Sequence, residues 1–174
     1  QWCDTPHSIG DTTRHFEEYS LDQVVQRIDE LKTACHSVSL TGGEPLVQTD
    51  FLKEILPVLK ARNIKSYLET SGVLYEKLAQ IINQIDIISM DFKLPSSTQC
   101  QPFWKEHEEF LKIARQKDIF IKAVITSDTQ RQDIGESIRI ISTVAGCQYT
   151  IAGLVLIISA CIFRQFSSAV RPAV

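Results

Sequence analysis

Four short apolar, β-branched segments begin near residues 37, 64, 86 and 119, with amphipathic helical stretches between them. That alternation limits the fold more than any other feature of the chain. A spacing close to the roughly 30 residues of a βαβ unit calls for crossover helices, so the strands should run parallel with helices covering the sheet. A parallel sheet gathers the carboxyl ends of its strands on one rim, where polar residues from several strands can face a single ligand.

The individual elements follow from periodicity and end signals. Ser20, with Gln23 three residues on, forms a capping box before Leu21, Val24, Val25, Ile28 and Leu31, which recur at helical spacing. Ser37-Val38-Ser39-Leu40 alternates like a strand. Asp50 is expected to cap a helix carrying Phe51, Leu52, Ile55, Leu56 and Leu59, with Pro57 kinking it or marking a late break. Residues 64–70 read as the next strand. A helix with Leu74, Leu78, Ile81 and Ile82 follows, then a buried strand over 85–92, a helix over 103–115 and a strand over 119–125. A last helix over 133–144 is expected to carry Ile134, Ile138 and Ile141 on one face.

Composition narrows the function classes. The 174 residues are 44% hydrophobic and 22% charged, ordinary for one globular domain with a core. Eighteen basic and 21 acidic residues give a net charge of −3, which leaves no electrostatic footprint for nucleic acid or an anionic membrane and favours a small-molecule partner. The five cysteines, Cys3, Cys35, Cys100, Cys147 and Cys161, are odd in number and widely spaced, which argues against a secreted disulfide framework and for a reducing cytoplasm. The chain opens on Gln1 without a basic-then-apolar leader, which reads as a lost natural start and no signal peptide. Residues 144–163 form the one composition shift. Gln148 interrupts the stretch, and its clearly apolar part is about 13 residues, so a buried strand or core helix is expected rather than a membrane span. Arg171-Pro172-Ala173 reads as a frayed tail.

Chemistry concentrates at the predicted strand ends. Thr41-Gly42-Gly43-Glu44-Pro45 follows the first strand. Two glycines there permit positive φ and close approach to the main chain, so the turn offers a cradle of N–H and C=O groups beside the Glu44 anion; a tight βα turn without a ligand is the alternative. Glu69-Thr70-Ser71-Gly72 ends the second strand and Asp91-Phe92-Lys93 the third. A helix-capping turn and a surface ion pair, respectively, are their structural alternatives. Lys122, near the last strand, is a weaker candidate that reads equally as a solvated edge residue. His7, His15, His36 and His107 show no mutual ligand spacing and are assigned no metal.

The run Trp2-Cys3-Asp4-Thr5, the Gly-Gly-Glu-Pro turn about 40 residues later, Leu68-Glu69-Thr70-Ser71-Gly72 and Met90-Asp91-Phe92-Lys93, taken in order and spacing, resemble the radical S-adenosylmethionine (SAM) superfamily. Within it the likeness is to the 7-carboxy-7-deazaguanine synthase family of queuosine and deazapurine biosynthesis, over residues 1 to about 145. The resemblance implies an α/β fold, a partial (β/α)6 barrel with a mostly parallel sheet. It divides the chain into a radical SAM core over 1–145, short of its first strand and two cluster cysteines, and an atypical apolar segment over 146–174.

By the same resemblance, Cys3 matches the last thiolate of a C-x-x-x-C-x-x-C loop holding a 4Fe–4S cluster. Gly42, Gly43 and Glu44 match the motif that receives the SAM amino group. Glu69, Ser71, Asp91 and Lys93 match contacts to the SAM ribose and carboxylate, Thr41 a substrate-side position, and Thr5 a ligand of Mg²⁺. The implied partners are a pterin substrate, 6-carboxy-5,6,7,8-tetrahydropterin, and an electron donor such as a flavodoxin, with no nucleic acid or membrane; a homodimer stays open. The implied reaction is hydrogen abstraction, ring contraction and loss of ammonia. One thiolate cannot hold a cubane cluster that expects several, so this chain alone is expected to be inactive. A glycyl-radical-activating enzyme shares the Gly-Gly-Glu and Asp-x-Lys features, and a non-catalytic α/β interaction module is the rival from another class.

Overall fold

The computed structural model describes residues 18–31, 35–145 and 154–158. Five strands, β1 (Ser37–Leu40), β2 (Lys65–Thr70), β3 (Ile87–Asp91), β4 (Asp118–Ile125) and β5 (Leu154–Ile158), form one sheet in sequence order, every neighbouring pair parallel. The helices are α1 (Leu21–Leu31), α2 (Thr49–Ala61), α3 (Tyr75–Ile81), the single turn α4 (Pro95–Thr98), α5 (Trp104–Ala114) and α6 (Arg131–Ala145). Consecutive parallel neighbours joined by crossover helices, with α2, α3, α5 and α6 packed side by side, are the arrangement of an opened β/α barrel. The expected α/β class with a parallel sheet is what forms, and the apolar segment near the carboxyl end adds its fifth strand beside β4.

Register sorts the side chains onto two faces. Leu68, Ile88 and Ile121 lie at most 3% exposed and, with Leu52, Ile55, Leu56, Leu59, Leu78, Phe110 and Leu111 of the helices, make the core. Burying each such Ile or Leu contributes about 1.5–3 kcal/mol. The alternate positions, Ser39, Tyr67, Glu69, Ser89, Asp91, Phe120 and Lys122, share the opposite face. A sheet that is apolar on one face and polar on the other can present chemistry on the second without weakening the first.

Several local expectations are refined. The Ser20 capping box is present: the Ser20 N–H donates to Gln23 Oε1 at 2.8 Å, and the Gln23 N–H to Ser20 Oγ at 3.3 Å. Asp50 is not the cap of α2. A 3₁₀ turn, Pro45–Gln48, capped by Glu44, leads directly into the helix, and Asp50 lies in its first turn. Pro57 does not end α2, which continues to Ala61 because Leu52, Leu56 and Leu59 stay packed on the core on both sides of the proline. On α6, Ile138 is 50% exposed while Ser137, Ile140, Ile141 and Val144 face inward, since packing selects the stripe centred on Ile140 and Ile141. Lys122 is not an edge residue: β4 lies between β3 and β5. Among the described residues, no helix is long and apolar enough to cross a membrane.

Candidate functional site

The carboxyl ends of β1, β2 and β3 deliver the three sequence motifs to one rim. After β1, Gly42 and Gly43 take φ of +98° and +52°, a left-handed turn that residues with a Cβ rarely adopt. A Cβ built on either would meet nothing within 4 Å among the described residues, which leaves room for a ligand to approach the backbone. Thr41 is exposed beside it.

Glu44 turns back toward the end of β2. Its Oε1 accepts from Thr70 Oγ1 at 2.8 Å and from the Leu46 N–H at 3.2 Å; its Oε2 accepts from the Ser71 N–H at 2.8 Å and Ser71 Oγ at 2.6 Å. A carboxylate has about four acceptor positions, and protein donors take all of them. Glu44 therefore ties the β1 turn to the β2 turn. Gly72 completes this junction at φ +70°, with Met90 so near that an added Cβ would lie 2.5 Å from the Met90 Cε. Only glycine fits there without displacing β3's side chain.

The polar face of the sheet carries the remaining charges. Glu69 accepts from Ser39 Oγ at 2.9 Å and lies 3.7 Å from Lys122 Nζ, linking β1, β2 and β4. Lys122 is the register partner of Asp91, and Ser89 of Glu69. Asp91 pairs with Lys93, both side chains about a third exposed. Asp91 Oδ1 and Ser89 Oγ, both buried, have no partner among the described residues. Two buried polar atoms left unsatisfied, two residues apart on one face of β3, are costly unless something else pairs with them.

Behind the rim stands His107 of α5, fully buried. Its ring lies 4.3 Å from Phe92, and its Nε2 is 3.2 Å from the Ser71 carbonyl oxygen. A carbonyl only accepts, so Nε2 carries the proton, while Nδ1 has no partner. Burial pushes the imidazole down to about 4, against the raising effects of the Ser71 carbonyl, Glu106 and Asp91, so the ring stays neutral near pH 7.

Of the sequence candidates, Thr41, Gly42, Gly43, Glu44, Glu69, Ser71, Asp91 and Lys93 thus share one rim. Cys3 and Thr5 lie outside the described residues. Sequence reasoning missed Ser39 and Ser89, which alternation along the strands could have marked, and the interior placement of Lys122, which strand order decides. His107 was legible in another way. It falls in the stripe Phe103, His107, Phe110, Leu111, Ala114, where a helix of this composition buries its face.

The chain belongs to the radical SAM superfamily, whose family model matches residues 1–131. Over 108 residues it is 44% identical to a 7-carboxy-7-deazaguanine synthase of Geobacter sulfurreducens, covering 62% of this chain and 43% of that one. A second 7-carboxy-7-deazaguanine synthase, from Methanocaldococcus jannaschii, is 31% identical over 127 residues, covering 68% and 51%. A pyruvate formate-lyase-activating enzyme of Listeria monocytogenes is 28% identical over 102 residues, covering 53% and 41%. The chain thus spans about half the length of the curated relatives it matches.

Membership of this superfamily implies a 4Fe–4S cluster and SAM. The rim fits the latter: an open glycine cradle, free acceptor atoms on Ser89 and Asp91, and the Lys93 and Lys122 ammonium groups suit an amino acid zwitterion and a ribose diol. Among the described residues, no group of His, Cys, Asp or Glu is spaced to hold a metal ion.

Proposed function

We propose that this chain is the SAM-binding part of a cytoplasmic 7-carboxy-7-deazaguanine synthase, a lyase acting on 6-carboxy-5,6,7,8-tetrahydropterin. The observation that carries the reading is the convergence of Gly42-Gly43, Ser71, Glu69, Asp91 and Lys93 on one rim of a parallel sheet, in a chain 44% identical to a protein of that name over 108 residues. When bound, the cluster and SAM supply the one-electron chemistry that starts hydrogen abstraction from the pterin.

The residues of the chain hold and orient. The backbone of Gly42 and Gly43 receives the SAM amino group, and Glu44, its acceptors filled by Thr70, Ser71 and Leu46, keeps that turn in place. Glu69 is an acceptor for the ribose hydroxyls, and Asp91, Lys93 and Ser71 surround the carboxylate end. Thr41 stands on the substrate side. Cys3 would be a cluster thiolate and Thr5 a ligand of a Mg²⁺ ion that orients the pterin. An electron donor such as a flavodoxin completes the partners.

The test is anaerobic iron–sulfur reconstitution of the protein expressed from its complete reading frame, followed by reduction with SAM and the carboxypterin. The expected outcome is visible cluster absorbance, 5′-deoxyadenosine and the deazaguanine product. No cluster and no SAM cleavage would overturn the enzyme reading. SAM cleavage with the carboxypterin untouched would overturn the substrate alone and turn attention to an activating-enzyme role, which the Listeria relative favours.

A further inference from the structure

We infer that His107 is a positioning residue that locks the Ser71 turn and the Asp91-Phe92-Lys93 segment to each other, and so fixes the spacing of the SAM-binding groups. The inference rests on the functional reading above. Its observations are geometric. One ring makes two contacts to two different strand ends: Nε2–H donates to the Ser71 carbonyl at 3.2 Å, and its centroid lies 4.3 Å from that of Phe92, the residue between Asp91 and Lys93, with the rings tilted by 43°. Ser71 is already held from the other side, by its N–H and Oγ on Glu44. His107 therefore closes a chain of contacts running from the Gly42-Gly43 turn through Glu44 and Ser71 to Phe92.

A purely packing role would be met more cheaply by phenylalanine. Phe92 and Phe103 already flank the position, and an imidazole there leaves Nδ1 buried without a partner among the described residues. What phenylalanine cannot do is satisfy the Ser71 carbonyl. Without that bond the Ser71–Gly72 peptide has reason to rotate toward water, carrying the Gly72 N–H away from Thr70 Oγ1 and loosening the neighbouring Ser71 N–H on Glu44.

The experiment compares His107→Phe, which keeps a ring and deletes the donor, with His107→Gln, which keeps a donor and deletes the ring. SAM dissociation constants are measured on the reconstituted protein, and amide exchange of Ser71 and Gly72 by NMR without SAM. His107→Phe should weaken SAM binding and speed exchange at both amides by about tenfold. His107→Gln should restore both to within about threefold of the parent, even where its melting temperature falls as far. Unchanged exchange in His107→Phe, or equal losses in both variants tracking stability, would overturn the inference. If the parent protein binds no SAM while the exchange pattern is as expected, the brace stands and the functional reading fails.

Discussion

The two rims of the sheet use the same kinds of residue to opposite ends. At the amino-terminal rim, Asp86 Oδ2 accepts from the Ser66 N–H and Ser66 Oγ, and Ser66 Oγ accepts in turn from the Asp86 N–H. Ser66 Oγ also reaches the Gln84 carbonyl oxygen at 3.3 Å, so this pair is met wholly by protein groups. Beside it, Gln84, whose buried Oε1 has no partner among the described residues, lines a cavity with room for water. At the carboxyl-terminal rim, Glu44 is saturated, yet Asp91 Oδ1 and Ser89 Oγ are left over and the glycine cradle stands open. A closed polar pair holds strands in register. An open one stores binding capacity at a cost in stability.

Three changes would sharpen or break that contrast. The largest effect is expected at Glu44, the one group of the carboxyl rim that behaves like the closed rim. Glu44→Ala strands two donors of Ser71, one of Thr70 and the Leu46 N–H, and should lower unfolding free energy by about 3 kcal/mol in urea titration. A loss below about 1 kcal/mol would mean that the turn is held by other contacts.

Acid should act next, through His107. Its folded pKa of about 4 lies below the ordinary 6.5, so between those values the unfolded chain binds a proton that the folded chain does not. Stability contributed by the neutral ring is full above about pH 6.5 and is lost as pH falls toward 4, by about 3 kcal/mol. Urea midpoints of the parent should therefore fall more steeply over this range than those of His107→Phe. Parallel slopes would mean that the His107 ring is not the group responsible.

The smallest effects make the direct comparison of rims. Asp86→Ala should cost about 1–2 kcal/mol and leave SAM affinity alone, since Ser66 loses its acceptor far from the cradle. Asp91→Asn should change stability by less than about 0.5 kcal/mol, because its pair with Lys93 is partly exposed, while weakening SAM binding about tenfold. If Asp91→Asn left SAM affinity unchanged, the unpaired Oδ1 would not be a ligand atom.

Much of the architecture could be read along the chain. The capping box at Ser20, the four strand starts and the parallel arrangement all rest on local signals that tertiary packing reinforces. Ile138 was misplaced because neighbours decide which helix surface meets the sheet when the local pattern offers two nearly equal stripes; of the two outcomes Pro57 allowed, the late break does not occur. The site was legible to the extent that its residues lie in compact motifs at strand ends.

Sequence by itself determined the class of the fold and the residues at its rim, because period-two and period-3.6 patterns are local and strand ends follow from them. Only the tertiary structure decided what those residues do to one another. Glu44 meets Ser71 across 27 positions, His107 meets it across 36, and Lys122 reaches Glu69 from a strand two places away. Which acceptors such meetings fill, and which they leave free on Ser89 and Asp91, depends on distances between strands that no local pattern encodes.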